Sequence, residues 1–459
     1  MATRCFPILA AVWLICSQAF ADHAAEVEKL VTPLLEAKDI VGCVVGVYDN
    51  GKQEVYGFGE MHRGKADKPN GETVYEIGSI TKAFTGTLLS EMVNEGKVKL
   101  DAPLQDFMPV GVKLHPYKDS TIKLVDLASQ SSGLPRLPYN MGPKDTKNPY
   151  ADYTPKMLYE FLGKHQVSRA PGEYEYSNLG MGLLGNILAR KAGMPYEQLV
   201  VKRICDPLKM TDTRIVLTKD QKRRLAPPYD AQLNDEKNWD FDALAGAGAL
   251  RSTVNDMLKF AAAALSDDNQ PVAKAIHTAW IPHSGKPGDV RVGLAWHLAR
   301  DGETWWHNGQ TAGYSSALFI YPPKKLAVVV LVNTASEKTT PLAEKILQSM
   351  LGQKPEPIGV RKVVDVDSEL LKSYVGEYAL SPLFAITITV DDGKLMAQAT
   401  AQPKYQVFPS SPTEFFYKVV DAKLSFEKDK DGQVTKLVLH QNGRDLPGVK
   451  SPAVVSSKN

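Results

Sequence analysis

The chain has 459 residues, with 54 Lys+Arg against 52 Asp+Glu and only 4 Cys. That length accommodates two or three domains with full cores, and 43% hydrophobic with 23% charged residues excludes disordered and collagen-like classes. A formal charge of +2 leaves no basic footprint for nucleic acid, and four cysteines are too few for a disulfide scaffold of this size.

The first residues read as a segment outside the fold. Arg4 precedes an apolar run from Cys5 to Cys16, and Ala19-Phe20-Ala21 then offers a small-x-small site before Asp22. A cationic start, a short apolar stretch and such a site describe a cleaved export signal, so residues 1–21 are expected to be lost and the protein to be periplasmic or secreted. The run is shorter than the roughly 18–20 apolar residues of a spanning helix, and no stable membrane insertion is expected. Cleavage leaves Cys43 and Cys205, each in an apolar run. An oxidising compartment permits a bridge between them, but isolated apolar cysteines read sooner as buried small hydrophobes.

Residues 43–48 and 54–58 read as strands around Asp49-Asn50-Gly51-Lys52, a hairpin with Asn-Gly at its turn. Val74-Tyr75-Glu76-Ile77 is a further apolar strand. It leads through Gly78-Ser79 into a long amphipathic helix over residues 80–94, stopped by Gly96. Much of 120–270 is helical in pattern, with helices over 154–165 and 179–192 separated by Pro/Gly loops such as Ser131-Ser132-Gly133-Leu134-Pro135. Strand character returns at 315–321 and 326–333, the second continuously apolar as in a strand buried on both faces. A helix over 341–351 follows. Strands from both ends enclosing a helical middle predict an α+β fold: an antiparallel sheet flanked by helices, with an inserted helical subdomain, over residues 22–351.

Residues 352–366 carry Gly352, Pro355, Pro357 and Gly359 and read as a linker. Over 367–459 the texture changes to short strands at 374–378, 385–390, 394–398, 415–419, 423–426 and 434–440. Asp391-Asp392-Gly393 and Lys430-Asp431-Gly432 supply tight turns between neighbours, and the spacing predicts a small antiparallel β-barrel.

Three short boxes carry chemistry. Ser79-Ile80-Thr81-Lys82 places a lysine three residues beyond a serine, on the same face of a helix. A serine hydroxyl is a poor nucleophile until a base takes its proton, and a partly neutral amine can do so. The same spacing occurs at Ser120/Lys123 and Ser425/Lys428, but only Ser79 follows an apolar strand and a glycine and opens a long helix. At the helix start, the N–H of Ser79 is also free to bind a developing oxyanion. Tyr176-Ser177-Asn178 supplies a phenol able to share proton transfer and an amide able to bind both a substrate amide and Lys82. His307-Asn308-Gly309-Gln310 supplies a glycine that lets substrate approach a strand, and the N–H of Gln310 is expected to be the second oxyanion donor. No His-Glu-x-x-His and no cysteine pair is present, so neither a metal nor a cofactor is expected.

In this order and on these supports, the boxes resemble those of the penicillin-recognising serine hydrolases. The branch in question contains class C β-lactamases, D-Ala-D-Ala carboxypeptidases, D-aminopeptidases and related esterases. The resemblance covers about residues 25–350 and includes Val125-Asp126-Leu127 through Ser132-Gly133-Leu134-Pro135. The tail around Tyr374–Tyr378 is similar to lipocalin-like barrels attached to some members. The resemblance implies an acyl-enzyme hydrolase with Ser79, Lys82 and Tyr176 catalytic, and with Asn178, His307, Asn308 and Gly309 binding substrate. Small amides, peptides (D-amino-acid-containing ones included) or esters are the implied substrates. β-Lactams are the implied acylating ligands of two alternatives, a β-lactamase and a penicillin-binding sensor without turnover. Class C β-lactamases usually carry Lys where this chain has His307, which with an ordinary pKa near 6.5 is mostly neutral at pH 7. Oligomeric state is left open.

Overall fold

The computed structural model describes residues 22–451 except 288, 360–362, 382–383, 401, 419, 421 and 442–443. The export signal expected over 1–21 lies outside the described residues. Helix α1 (Ala24–Glu36) precedes the hairpin of β1 (Gly42–Asp49) and β2 (Lys52–Gly59), turned at Asn50-Gly51. Much later in the chain come β3 (Trp305–Gln310), β4 (Ser315–Tyr321) and β5 (Leu326–Val332), then helix α5 (Thr339–Met350). The sheet runs β2-β1-β5-β4-β3 and continues into the short strands His297–Leu298 and Arg291–Val292, every neighbour antiparallel. Chain-distant strands thus meet at the centre, with Cys43 opposite Val332.

Period-2 alternation sends side chains to both faces, and both faces are covered. Val328, Val330 and Val332 of β5 pack with Val45 and Val47 against α1 and α5. Val329 and Leu331 face the larger cluster with α2 (Thr81–Asn94) and α4 (Val254–Ala264). This is why residues 326–332 are apolar without interruption. Between the sheet-forming ends lies the helical region, including α3 (Asn178–Ala192).

Helix α2 departs from expectation. Residues 81–92 are all buried, so the helix is enclosed on every side instead of being amphipathic. Some of its hydroxyls bond back along the helix: Thr87 and Ser90 donate to the carbonyls of Ala83 and Gly86 at 2.8 and 2.9 Å, while Thr85 bonds outward, 2.8 Å from the Gly246 carbonyl oxygen and 2.7 Å from the Tyr196 hydroxyl. Hydroxyls that bond backward read as polar in sequence yet tolerate burial. Phe84 stacks on Phe260 of α4 with ring centres 4.3 Å apart.

Beyond residue 366, a short helix (Ser368–Ser373) leads into a closed eight-stranded antiparallel barrel. Its strands are β6 (Gly376–Ser381), β7 (Phe384–Asp391), β8 (Lys394–Ala399), β9 (Lys404–Pro409), β10 (Glu414–Tyr417), β11 (Ala422–Lys428), β12 (Val434–Gln441) and β13 (Arg444–Lys450). β6 pairs with β13 to close it, and Tyr374, Tyr378, Phe415 and Phe426 fill the interior. Two strands escape the sequence reading. β13 contains Pro447-Gly448, which reads as a loop, and β9 lies next to Pro403, which breaks its pattern. The barrel touches the segment between α1 and β1 through Lys418, which donates to the Lys38 carbonyl at 2.9 Å and lies 3.5 Å from Asp39; Asp39 also pairs with Lys338.

Cys43 and Cys205 are both free and buried, and burial pushes each thiol up to about 12. Among the described residues no helix is long and apolar enough to cross a membrane.

Gly86 sits where α2 presses on the Leu294 backbone; a Cβ there would lie 2.0 Å from the Leu294 carbonyl oxygen. Glycine to alanine ordinarily favours a helix by about 1 kcal/mol. Here overpacking reverses the sign, so Gly86→Ala is expected to destabilise by about 1–3 kcal/mol, read as a lower Tm in thermal denaturation. An unchanged or raised Tm would show that α2 is not held this tightly.

Candidate active site

Ser79 lies in a 3-10 turn, Gly78–Ile80, immediately before α2 and not within it. Side chains three apart eclipse in a 3-10 turn, which aligns Ser79 with Lys82. The turn is pinned from both sides. Ile77 donates its N–H to the Leu250 carbonyl at 3.0 Å, and Ser316 of β4 donates its hydroxyl to the Ile77 carbonyl at 2.8 Å.

Lys82 is completely buried. Its Nζ is 2.8 Å from Ser79 Oγ, 2.8 Å from Asn178 Oδ1 and 2.6 Å from the Ala247 carbonyl oxygen. Burial drives its pKa well below the ordinary lysine value, and the positive field of Arg136 adds to the effect. A neutral amine has two N–H donors and one lone pair. Asn178 and Ala247 are pure acceptors, so they take the two donors, and the lone pair is left for the Ser79 hydroxyl. This is the geometry of a nucleophile beside its base.

Tyr176 and Asn178 reach the same point from the start of α3. Ser177, the residue between them, caps that helix: its Oγ accepts from the Gly180 N–H at 2.9 Å and donates to the Pro135 carbonyl at 2.7 Å. The cap fixes the chain so that both flanking side chains turn towards Lys82. Lys82 Nζ lies 4.8 Å from the Tyr176 ring centre and 2.8 Å from Ser79 Oγ, so phenol, amine and hydroxyl are gathered at one place. Burial holds that phenol above its usual pKa, so it is a protonated donor at neutral pH.

The third box comes in on β3. Thr311 turns its N–H to the carbonyl of Tyr314, just before β4, at 3.0 Å, so the Gln310 N–H faces the opposite way, towards the 3-10 turn. Gly309 is pressed against that turn; a Cβ would lie 2.1 Å from the Ile77 carbonyl oxygen and 2.8 Å from the Ser79 nitrogen. Gly78, at φ +47°, meets the Gln310 nitrogen in the same way at 2.8 Å. Two glycines therefore let the N–H groups of Ser79 and Gln310 converge.

Alternation along β3 separates the box. Asn308 points to the far face, where its amide donates to Thr340 of α5 at 2.9 Å. It was expected to bind substrate; the pleat of the strand carries it away from Ser79. His307 is 1% exposed, with its ring 5.0 Å from that of His297 and its Nδ1 2.6 Å from the Asn308 carbonyl oxygen. Burial, with the nearby His297 and Lys82, holds its pKa well below the ordinary range, so it is neutral. His307 thus lies beneath the cleft and supplies no charge to it.

In front of Ser79 opens a narrow cavity of about 30 Å³, whose lining includes Tyr150, Asn178, Trp239, Phe241, Gln310 and Thr311. Tyr150 stacks on Phe241 at 4.5 Å and tilts against Trp239 at 5.2 Å, giving an aromatic wall. These three residues and the Ala247 carbonyl are absent from the sequence-based site. They come from irregular segments whose periodicity announces nothing. Among the described residues no group of three or more His, Cys, Asp or Glu is placed to hold a metal ion.

The competing Ser-x-x-Lys pairs are arranged differently. Ser120 donates its hydroxyl to the Tyr117 carbonyl at 2.7 Å. Ser425 lies 2.8 Å from His440 Nε2, and His440 Nδ1 lies 2.6 Å from Asp445, but Ser425 has paired strands on both sides within the closed barrel. Neither stands at a helix entrance with a free N–H.

Comparison with known proteins identifies the family. Residues 27–349 match the family described as Beta-lactamase. The chain belongs to the beta-lactamase family. Residues 360–450 match a domain of unknown function, DUF3471. Among curated relatives, the D-alanyl-D-alanine-carboxypeptidase/endopeptidase AmpH of Escherichia coli (strain K12) is 30% identical over 249 residues, covering 53% of this chain and 62% of AmpH. The match therefore spans less than two thirds of that relative's length. Penicillin-binding protein 4* of Bacillus subtilis (strain 168) is 25% identical over 432 residues, covering 86% of this chain and 91% of the relative. The crystal structure of a β-lactamase/D-alanine carboxypeptidase from Yersinia pestis superposes with TM-score 0.61 at 26% identity, over 72% of this chain and all of that one.

In this beta-lactamase-family site, Gly309→Ala is expected to push β3 off the 3-10 turn and separate the two N–H donors. Losing one oxyanion donor costs about 10²–10³-fold in rate. Covalent labelling by a fluorophosphonate should slow by about that factor while far-UV circular dichroism is retained. Labelling at the wild-type rate would remove the Gln310 N–H from the site.

Proposed function

We propose that this chain is an exported serine hydrolase that works through an acyl-enzyme on Ser79. The observation that carries the reading is the 2.8 Å approach of a fully buried, neutral-leaning Lys82 amine to the Ser79 hydroxyl. Ser79 Oγ attacks a carbonyl carbon and its proton passes to Lys82 Nζ. The tetrahedral oxyanion is held by the N–H groups of Ser79 and Gln310. As the bond to the leaving group breaks, the Tyr176 phenol, supplied in turn by Lys82, gives the departing nitrogen or oxygen its proton. Water then attacks the ester, loses a proton to the same groups, and releases the acid with Ser79 restored. Asn178 holds the substrate amide.

The substrates we propose are small amides, peptides or esters. The name of the AmpH relative supports D-amino-acid peptides among them. Turnover of a β-lactam ring is the second reading, favoured by the name of the Yersinia pestis structure, and it uses the same acylation step. A penicillin adduct that persists for hours would instead favour a sensor. We further propose the division into a signal (1–21), a catalytic unit (22–351), a linker (352–366) and a barrel (367–459). None of the residues lining the cavity at Ser79 comes from the barrel.

The test is a panel of p-nitrophenyl esters, D-amino-acid amides, D-Ala-D-Ala peptides and nitrocefin against wild type and Ser79→Ala. Ser79→Ala should abolish both turnover and covalent labelling, and undiminished labelling of another serine would sink the assignment. The pH profile has a defined sign. The reactive form of Lys82 is deprotonated, so acylation should hold through neutral pH and fall only as pH drops through the lowered lysine pKa. A rate still rising steeply between pH 8 and 10, as about expected of an ordinary lysine, contradicts this.

A further inference from the structure

Tyr176 stands just outside α3, on a stretch of chain that the helix alone does not fasten. Ser177 is the N-cap of α3, and its hydroxyl accepts the Gly180 N–H at 2.9 Å. That is half of a capping box; in the other half, a Glu or Gln at the third helical position reaches back to the N–H of the cap residue. Here the third position is Gly180, which has no side chain to do so. Gln130, in the loop after the short helix Leu124–Ala128, supplies the missing acceptor: its Oε1 takes the Ser177 N–H at 2.7 Å. Its main-chain carbonyl takes the Glu175 N–H, also at 2.7 Å. The N–H groups on either side of Tyr176 are therefore both fastened to one residue.

Gln130 holds this place against two opposing effects. Its φ is +59°, the left-handed region in which a residue with a long side chain is disfavoured. Its side chain is buried, and its amide Nε2 finds no acceptor among the described residues. The Ser177 N–H decides which end of the amide faces it: turned over, the amide would set donor against donor, so Nε2 is the end left unpaired. Backbone strain and an unpaired buried donor persist where the surrounding structure depends on the group that carries them. The group in use at Gln130 is its acceptor oxygen. Gln130 is not among the residues lining the cavity at Ser79, so whatever it does there passes through residues 175–177.

We propose that Gln130 is a positioning residue for Tyr176, and that its two acceptors hold the chain so that the phenol can deliver its proton to the leaving group. The proposal rests on the reading of Tyr176 given above. It has a consequence that general loosening of the site lacks, because the value of a proton donor depends on the group that departs. When a phosphonate ester modifies Ser79, the Oγ–P bond forms and the P–O bond to the leaving phenol breaks. The proton lost by Oγ passes through Lys82 and Tyr176 to the departing oxygen. p-Nitrophenolate is a weak base and departs with little help, whereas the more basic phenolate gains from a well-placed donor. A displaced Tyr176 therefore slows departure of phenol more than departure of p-nitrophenol.

The test uses two phosphonates that differ only in the leaving group, p-nitrophenol or phenol, each modifying Ser79 once without turnover. The quantity read is the ratio of the p-nitrophenyl to the phenyl labelling rate within one protein, which is blind to how much of that protein is folded. Gln130→Met fills similar space without an acceptor, and the ratio should rise about ten- to a hundred-fold, a share of the roughly 10²–10⁴-fold that proton transfer contributes. Gln130→Gly relaxes the left-handed backbone but also lacks the acceptor, so its ratio should rise too. Gln130→Glu keeps an oxygen at the same reach and should hold the ratio near the wild-type value. Tyr176→Phe marks the full effect. A ratio unchanged in either Gln130→Met or Gln130→Gly, while Tyr176→Phe raises it, overturns the proposal. So does a ratio raised as far in Gln130→Glu as in Gln130→Met. An unchanged ratio in Tyr176→Phe overturns it together with the role given to Tyr176. Failure of the hydrolase reading looks different: both phosphonates would then still label Ser79→Ala.

Discussion

The burial of Lys82 is the constraint on which this site depends. An ammonium enclosed by protein loses its hydration, so the neutral amine is favoured, and a neutral amine is what a serine needs as a partner. Helix α2 exists in this form to deliver that side chain. Its all-round burial, its backward-bonded hydroxyls and its tight crossing at Gly86 place Lys82 in the interior. Asn178 and Ala247 then accept the two amine protons, which directs the lone pair at Ser79.

The second constraint is the close approach of β3 to the 3-10 turn. Gly309 and Gly78 are needed because any Cβ there would occupy the space of a neighbouring backbone. The approach turns two N–H groups onto one point, and the central sheet supplies the rigidity that keeps them there. Ser316, one strand further in, fastens the turn to that sheet. The groups proposed as nucleophile, base and oxyanion donors are thus held by different elements that share one packed core.

Much of this was legible in the sequence, for a physical reason. The proposed catalytic groups sit at local signals: a serine after a glycine at a helix entrance, a capped helix start at Ser177, a glycine on a strand. Four strands of the sheet were legible from their apolar runs and hairpin turn, and the barrel from its turns; β3, Trp305–Gln310, has no β-branched residue to announce it. What was not legible came from tertiary packing. Asn308 looked equivalent to its neighbours until the pleat sent it to Thr340. His307 was expected to bind substrate, but burial sets it beneath the cleft beside His297 and holds it neutral. The aromatic wall of Tyr150, Trp239 and Phe241 is assembled from distant loops.

The central claim is that Lys82 is deprotonated at neutral pH in the resting protein. It is tested most directly by NMR titration of protein carrying isotope-labelled lysine side chains, with the Lys82 signal assigned through Lys82→Arg. The account predicts that this one lysine titrates well below the others, or is already neutral across the neutral range. A Lys82 signal titrating with the bulk of the lysines, at about 10.4, would contradict it.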